Sequence, residues 1–220
     1  MAFITFEGSE GCGKTTQARL LHRVLASRGV DTLLTREPGG CEVADAIRSI
    51  LLDAAHSELV PTTELLLYAA ARAQHVSQVI RPALSRGMVV ICDRFTDATI
   101  AYQGFGRGLN RGLIRRLNDI AAPALRPDVT VLLDLPVDVG LARAFQRMDA
   151  STAPREERFE LETKEFHERV REGYRWLARK EPDRFIVVDA QMSVELVHQA
   201  IRERLEASLP SLFGRRGTSS

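Results

Sequence analysis

A short apolar run, Phe3-Ile4-Thr5-Phe6, leads directly into Gly8-Ser9-Glu10-Gly11-Cys12-Gly13-Lys14-Thr15. The octet fits GxxxxGK[ST], a phosphate-binding loop that belongs between a buried strand and the N-terminus of a helix. A triphosphate carries dense negative charge. Binding it takes several backbone N–H groups aimed inward, and Gly8, Gly11 and Gly13 allow that close approach. Lys14 supplies a point charge for the outer phosphates and is one of only three lysines in the chain. Thr15 supplies a hydroxyl for Mg²⁺, and the helix that starts here adds its N-terminal dipole. The ATP-binding stretch is therefore expected over Gly8, Ser9, Glu10, Gly11, Cys12, Gly13, Lys14, Thr15 and Thr16. The loop implies a bound nucleoside triphosphate without saying what becomes of its γ-phosphate.

A strand–loop–helix unit of this kind demands an α/β fold, and the rest of the chain agrees. Apolar runs at 2–7, 30–35, 88–92, 129–134 and 185–189 are continuous rather than alternating, as in a parallel sheet covered on both faces. Helical patterns fill the gaps at about 14–28, 43–54, 62–86, 112–122, 137–148, 160–179 and 193–208. Pro82 should kink or restart the third. The expected fold is a doubly wound, five-stranded parallel sheet with helices on both faces. The 220 residues suit one domain, over 1–210, with an arginine-rich lid at about 147–160 and a frayed tail over 211–220.

Composition narrows the function classes. A net charge of +1 makes no demand for a nucleic-acid partner. The start, Met1-Ala2-Phe3-Ile4, shows no basic segment followed by a long apolar one, and no window is apolar enough to span a membrane. The odd set of cysteines, Cys12, Cys41 and Cys92, forms no CxxC pair and reads as reduced, in keeping with the cytoplasm. The histidines make no ligand spacing, so no protein-only metal site is expected.

In doubly wound sheets, ligands gather beyond the carboxyl ends of the strands. Those ends hold the phosphate loop, Arg36-Glu37-Pro38-Gly39-Gly40, Asp93-Arg94, Asp134 and Asp189. Asp93 sits where an acidic residue holds Mg²⁺, directly or through water, and Arg94 beside it suits a phosphate. The pair could equally be a strand-end ion pair. The 36–40 turn is either a plain connection or a flap over a ligand. Tyr68 and Arg72, four apart on a helix, share a face that could hold a nucleobase or belong to ordinary core and surface. Thr99, Tyr102 and Gln103 fall at i, i+3 and i+4 and could face the same pocket. Arg143, Arg147, Arg155 and Arg158 flank a polar stretch, which is either a solvated loop or a lid that closes cations over the transferring phosphoryl group.

Taken in order, the acidic third position of the loop, REPGG (36–40), YAAARAQ (68–74) and DRFTDATIAYQGFGRG (93–108) resemble the bacterial thymidylate kinase family, from Phe3 to about residue 205. The resemblance implies a homodimer with the fold of nucleoside monophosphate kinases. It also implies γ-phosphoryl transfer from ATP to dTMP with Mg²⁺, giving dTDP on the way to dTTP. By the same resemblance Glu10 lies near the acceptor sugar and metal, Lys14 bridges the transferring phosphate, and Arg94 holds the acceptor phosphate. Arg72 donates to the thymine carbonyl, Tyr68 stacks on the ring, Thr99 approaches the base, Tyr102 adjoins the deoxyribose, and Gln103 lies alongside. Glu37 and Pro38 belong to the turn that closes over dTMP. The loop lacks an arginine, so Arg143, Arg147 and Arg158 match the lid arginines that reach the phosphates instead. Tyr68 stands where phenylalanine is usual and Ala98 where serine is common. The lid is longer than in some relatives.

The chemistry fits these residues. The acceptor phosphate, with a second pKa near ~6, is already mostly ionised at neutral pH, so no general base is needed. The difficulty is bringing two anions together, which cations and in-line positioning overcome. Arg72 can only donate, which favours the C4 carbonyl of thymine over the amino group of cytosine. A regulatory GTPase would carry NKxD and DxxG motifs, and neither is present. Another nucleoside monophosphate or deoxynucleoside kinase, and a pure binding module, are the remaining alternatives.

Overall fold

The computed structural model describes residues 1–149 and 158–213. Five strands form one sheet: β1 (Ala2–Glu7), β2 (Thr32–Arg36), β3 (Val89–Asp93), β4 (Val129–Asp134) and β5 (Phe185–Asp189). Their order is β2-β3-β1-β4-β5, and every pairing is parallel. The expected sheet is thus the observed one, with β2 and β3 displaced by one or two residues toward their carboxyl ends. β3 and β4 flank β1 on opposite sides, so the loop after β1 emerges where the winding reverses, and a crevice opens there.

The helices are α1 (Lys14–Ser27), α2 (Glu42–Leu52), α3 (Pro61–His75), α4 (Arg81–Ser85), α5 (Thr96–Thr99), α6 (Arg111–Ala121), α7 (Val137–Asp149), α8 (Lys164–Lys180), α9 (Val194–Ser208) and α10 (Pro210–Phe213). The strand pleat sends alternate residues of β1 to opposite faces. Ile4 and Phe6 join Leu21 and Leu25 of α1, Ile201 and Leu205 of α9, and Val131 and Leu133 of β4. Phe3 packs on the other face with Val76, Ile80 and Phe95. A third cluster joins Leu65 of α3, Ile114 of α6 and Phe166, Val170 and Tyr174 of α8.

Four local departures from the expected elements have physical causes. The 62–86 helix is not one α-helix: a π-helical turn, Val76–Ile80, separates α3 from α4. Pro82, in the first turn of α4, has no N–H for the regular ladder. The helix expected from 160 begins at Lys164, because Arg158, Phe159 and Glu160 are buried as an anchor instead. Thr163 caps it, its hydroxyl accepting from the Phe166 N–H at 3.3 Å. Unexpected helical structure spans 96–106, where α5 runs into a second π-helical turn, Ile100–Gly106. Finally, the ordered chain passes the expected boundary at 210. Leu212 and Phe213 of α10 are buried in the first core cluster, because the ends of α1 and α9 would otherwise expose apolar surface. Residues 150–157, with Arg155 and the middle of the expected lid, and 214–220 of the expected tail lie outside the described residues.

Arg28 fixes that terminus, donating to the Phe213 carbonyl at 3.2 Å and lying over its ring. Phe213→Ala is therefore expected to lower stability by about 3 kcal/mol in urea denaturation. An unchanged midpoint would mean that α10 does not close the core.

Candidate functional site

The site grows from the carboxyl end of β1. Gly11 and Gly13 both take positive φ, +66° and +92°. At Gly11 a Cβ would stand 2.0 Å from the Gly140 carbonyl oxygen, so a side chain there would displace α7 from the loop. The loop wraps the Lys14 ammonium, which donates to the carbonyls of Ser9 (2.8 Å) and Gly8 (3.1 Å). Thr15, one residue into α1, donates its hydroxyl to Asp93 Oδ2 at 2.5 Å. The two side chains expected to hold Mg²⁺ thus meet across 78 residues of sequence. Their oxygen-only donor set suits that hard cation.

Arg94 has a left-handed backbone, φ +69°, which aims its side chain back over the loop. Its guanidinium donates to both Glu10 carboxylate oxygens at 2.9 Å, to the Gly8 carbonyl at 3.2 Å and to the Tyr174 hydroxyl at 3.2 Å. It also lies 4.7 Å over the Tyr102 ring, and the Tyr102 hydroxyl donates to Glu10 at 2.6 Å. Burial pushes the Glu10 carboxyl up, but Arg94, Lys14 and the Tyr102 hydroxyl outweigh it and hold it at about 2. Beneath this layer Glu7 is fully buried. It accepts from the Phe95 N–H at 2.7 Å and the Tyr174 hydroxyl at 2.8 Å. Burial, reinforced by Asp97, raises Glu7 to about 8.

Arg72 is buried and clamped from three directions. It donates to Glu37 Oε2 (2.7 Å), Asn118 Oδ1 (2.8 Å) and the Phe95 carbonyl (3.0 Å). Three of its five N–H groups are thereby used. Glu37 is fixed in turn by His75, whose Nδ1 lies 3.1 Å from Oε1. Thr99 Oγ1 is buried without a hydrogen-bond partner, and burying a hydroxyl that way is unfavourable unless a ligand supplies the bond.

These groups line one cleft of about 1130 Å³. It brings together Glu10, Gly11, Gly13, Lys14, Thr15 and Thr16 of the loop region, Glu37 and Pro38 of the turn, and Tyr68, Arg72, Asp93, Arg94, Thr99, Tyr102, Gln103 and Arg147. Ser9 and Cys12 are buried in the loop, and Gly8 turns its carbonyl toward Lys14 and Arg94. Among the described residues, seven cations and four carboxylates face the cleft, so the surplus charge suits a polyanion. Three further charged cleft residues escaped the sequence. Arg19 lies one turn after Thr15, and Arg48 lies one turn after the buried Ala44, so each shares an inward face readable from spacing. Glu160 carries no such signal, because its place depends on the anchor before α8. Burial, and then the like charge of Glu10, raises it to about 7, against the pull of Arg147 at 3.4 Å.

Two expected lid arginines stand elsewhere. Arg158 is buried, donating to the Leu51 carbonyl at 2.6 Å and to Glu64 at 2.7 Å. It ties the segment before α8 to α2 and α3, because Glu64, itself fully buried, needs cations around it. Gln103 and Arg107 bind the same carboxylate. Arg143 donates to the Ala190 carbonyl at 3.0 Å beyond β5 and does not line the cleft. Arg147 alone of the three does, and it is exposed. The strand-end Asp134, also outside the cleft, binds Arg171 and Arg175.

A parallel sheet with this loop and a cation-lined cleft at its switch point defines a phosphate-loop nucleotide kinase. The thymidylate kinase family model matches residues 6–201. The thymidylate kinase of Geobacter sulfurreducens is 60% identical over 208 residues, covering 94% of this chain and 98% of the relative. That of Trichlorobacter lovleyi is 58% identical over 207 residues, covering 94% and 98%. The crystal structure of thymidylate kinase from Ehrlichia chaffeensis superposes with a TM-score of 0.75 at 36% identity, covering 93% of this chain and 98% of that one. The chain belongs to the thymidylate kinase family, phosphotransferases that convert dTMP to dTDP.

The carboxyl groups make opposite contributions to stability. Glu10, held below its ordinary 4.5, stabilises the fold above that pH and loses the contribution as pH falls toward 2. Glu7 and Glu160, held above 4.5, stabilise less as pH rises through 7 and 8. Glu10→Gln should therefore flatten the decline of Tm between about pH 5 and 2. An unchanged slope would show that the Glu10–Arg94 pair carries no acid sensitivity.

Proposed function

We propose that this chain transfers the γ-phosphoryl group of ATP in line to dTMP, giving dTDP and ADP, as a homodimer in the cytoplasm. The observation that supports this most is the continuity of one cleft from the phosphate loop, past Arg94, to the clamped Arg72. A donor and an acceptor phosphate can meet over Arg94 while a base reaches Arg72.

The roles follow from that arrangement. The loop N–H groups and Lys14 hold the donor phosphates, and Arg94 moves from Glu10 to the phosphates as they arrive. Thr15 and Asp93 would hold Mg²⁺, which would supply charge neutralisation for the donor phosphates. Arg72 keeps two N–H groups for the thymine C4 carbonyl, and its fixed partners prevent it from turning to suit cytosine. Thr99 Oγ1 gains its missing hydrogen bond from the base, and the Tyr68 ring offers a stacking face. Tyr102 closes the sugar side. Glu37 positions Arg72, and Pro38 borders the acceptor. Of the lid arginines, Arg147 takes the phosphate role, and Arg158 holds the lid's base.

ADP formation with ATP–Mg²⁺ should favour dTMP strongly over dCMP, dGMP and AMP, and modestly over dUMP, which lacks only a methyl group. Arg147→Ala should reduce kcat by about 10³-fold with a smaller change in the KM for dTMP. Equal turnover across the acceptors would refute the base pocket, and wild-type kcat in the variant would refute the lid role.

The dimer reading is supported by apolar side chains left exposed along adjoining helices. They are Val43 and Ile50 of α2, Leu66 of α3, and Leu113 and Ile120 of α6. Light scattering should give twice the 24.5 kDa chain mass, and Ile120→Glu should shift it toward monomer. A monomeric wild type would refute the dimer.

A further inference from the structure

Glu7 is a buried carboxylate that the roles above do not use. It ends β1 on the same face as Phe3 and Thr5, directly ahead of the phosphate loop. Its two oxygens bind different groups. Oε1 accepts from the Phe95 N–H at 2.7 Å, which fixes the peptide that follows the left-handed Arg94. Oε2 accepts from the Tyr174 hydroxyl at 2.8 Å, and that same hydroxyl accepts from Arg94 Nη1 at 3.2 Å. A hydroxyl has one proton. By accepting the hydrogen bond from that proton, Glu7 turns the tyrosine oxygen's lone pairs toward the guanidinium. Tyr174 is 1% exposed, and its ring meets Tyr102 edge-on at 6.2 Å, so it has no freedom to swing away.

We infer that Glu7 and Tyr174 are positioning residues for Arg94, holding it from its backbone side and its head at once. Glu10 holds the same guanidinium through its other terminal nitrogen, Nη2, and in the proposed reaction that contact must yield to phosphate. The Tyr174 contact need not. It keeps one edge of the guanidinium in place while the other edge changes partner, so Arg94 pivots rather than detaches. The inference rests on Arg94 as the phosphate contact, and the test separates the two.

Two variants keep the volume and change the bonding. Tyr174→Phe removes one oxygen and leaves the ring packing. Glu7→Gln presents an amide that donates to the tyrosine hydroxyl, so the tyrosine proton loses its acceptor. Each is measured at about pH 9, above the value of about 8 to which burial raises Glu7, for kcat and for the KM of dTMP and of ATP, alone and combined with Arg94→Lys. Lysine lacks the planar fork that Tyr174 orients. In the otherwise native chain, either variant should reduce kcat by about tenfold, the loss expected for one hydrogen bond to a charged group, with the KM of ATP unchanged. In the Arg94→Lys background neither should reduce it further. Equal losses in both backgrounds, or a loss that follows only a lowered Tm, would overturn the inference and leave Arg94 in its role. Native activity in Arg94→Lys itself would overturn the role of Arg94, and the inference with it.

Discussion

Everything at this site depends on keeping cations in a cleft before any phosphate arrives. Arg94 illustrates the solution. Alone and half-buried it would be costly, and paired only with Glu10 it would be hard to release. Its neighbours share the work of holding it. Glu10 neutralises it, the Gly8 carbonyl and Tyr174 hydroxyl take further N–H groups, and the Tyr102 face covers it. Arg72 is handled differently. Three acceptors from separate elements immobilise it, which suits reading a base rather than following a moving charge. Two arginines in one cleft are thus held by different kinds of partner.

The fold itself makes these partners neighbours. A parallel sheet brings the carboxyl ends of β1, β2 and β3 side by side, with Phe6 in register with Asp93 and Arg36 with Asp93 on the other side. The phosphate loop, the Glu37 turn and the Asp93-Arg94 pair therefore come together at one edge of the sheet. α8 then returns over this end and contributes Tyr174 from 80 residues away.

The sheet was legible because fully buried strands are continuous apolar runs, and the loop because its glycines answer a geometric demand. For the cleft residues Tyr68 with Arg72 and Thr99 with Tyr102 and Gln103, spacing showed a shared face but left open whether it was pocket or core, and the last three meet a π-helical turn that no propensity announced. What spacing could not supply was which arginine meets which carboxylate. Arg158 reads as a lid cation, yet it serves Glu64, because a fully buried carboxylate on α3 claims it. Glu7 reads as the end of a strand. Only its tertiary partners, Phe95 and Tyr174, show that both its oxygens are put to use.

The central claim is that Arg94 leaves Glu10 for the phosphates while Arg72 stays where it is. A crystal structure of the chain with dTMP and a non-hydrolysable ATP analogue would test it most directly. Arg94 is predicted within hydrogen-bond distance of the acceptor phosphate and still against Tyr174, with Arg72 unmoved on Glu37 and donating to the base. Arg94 still clasped by Glu10, with both phosphates held by other groups, would contradict it.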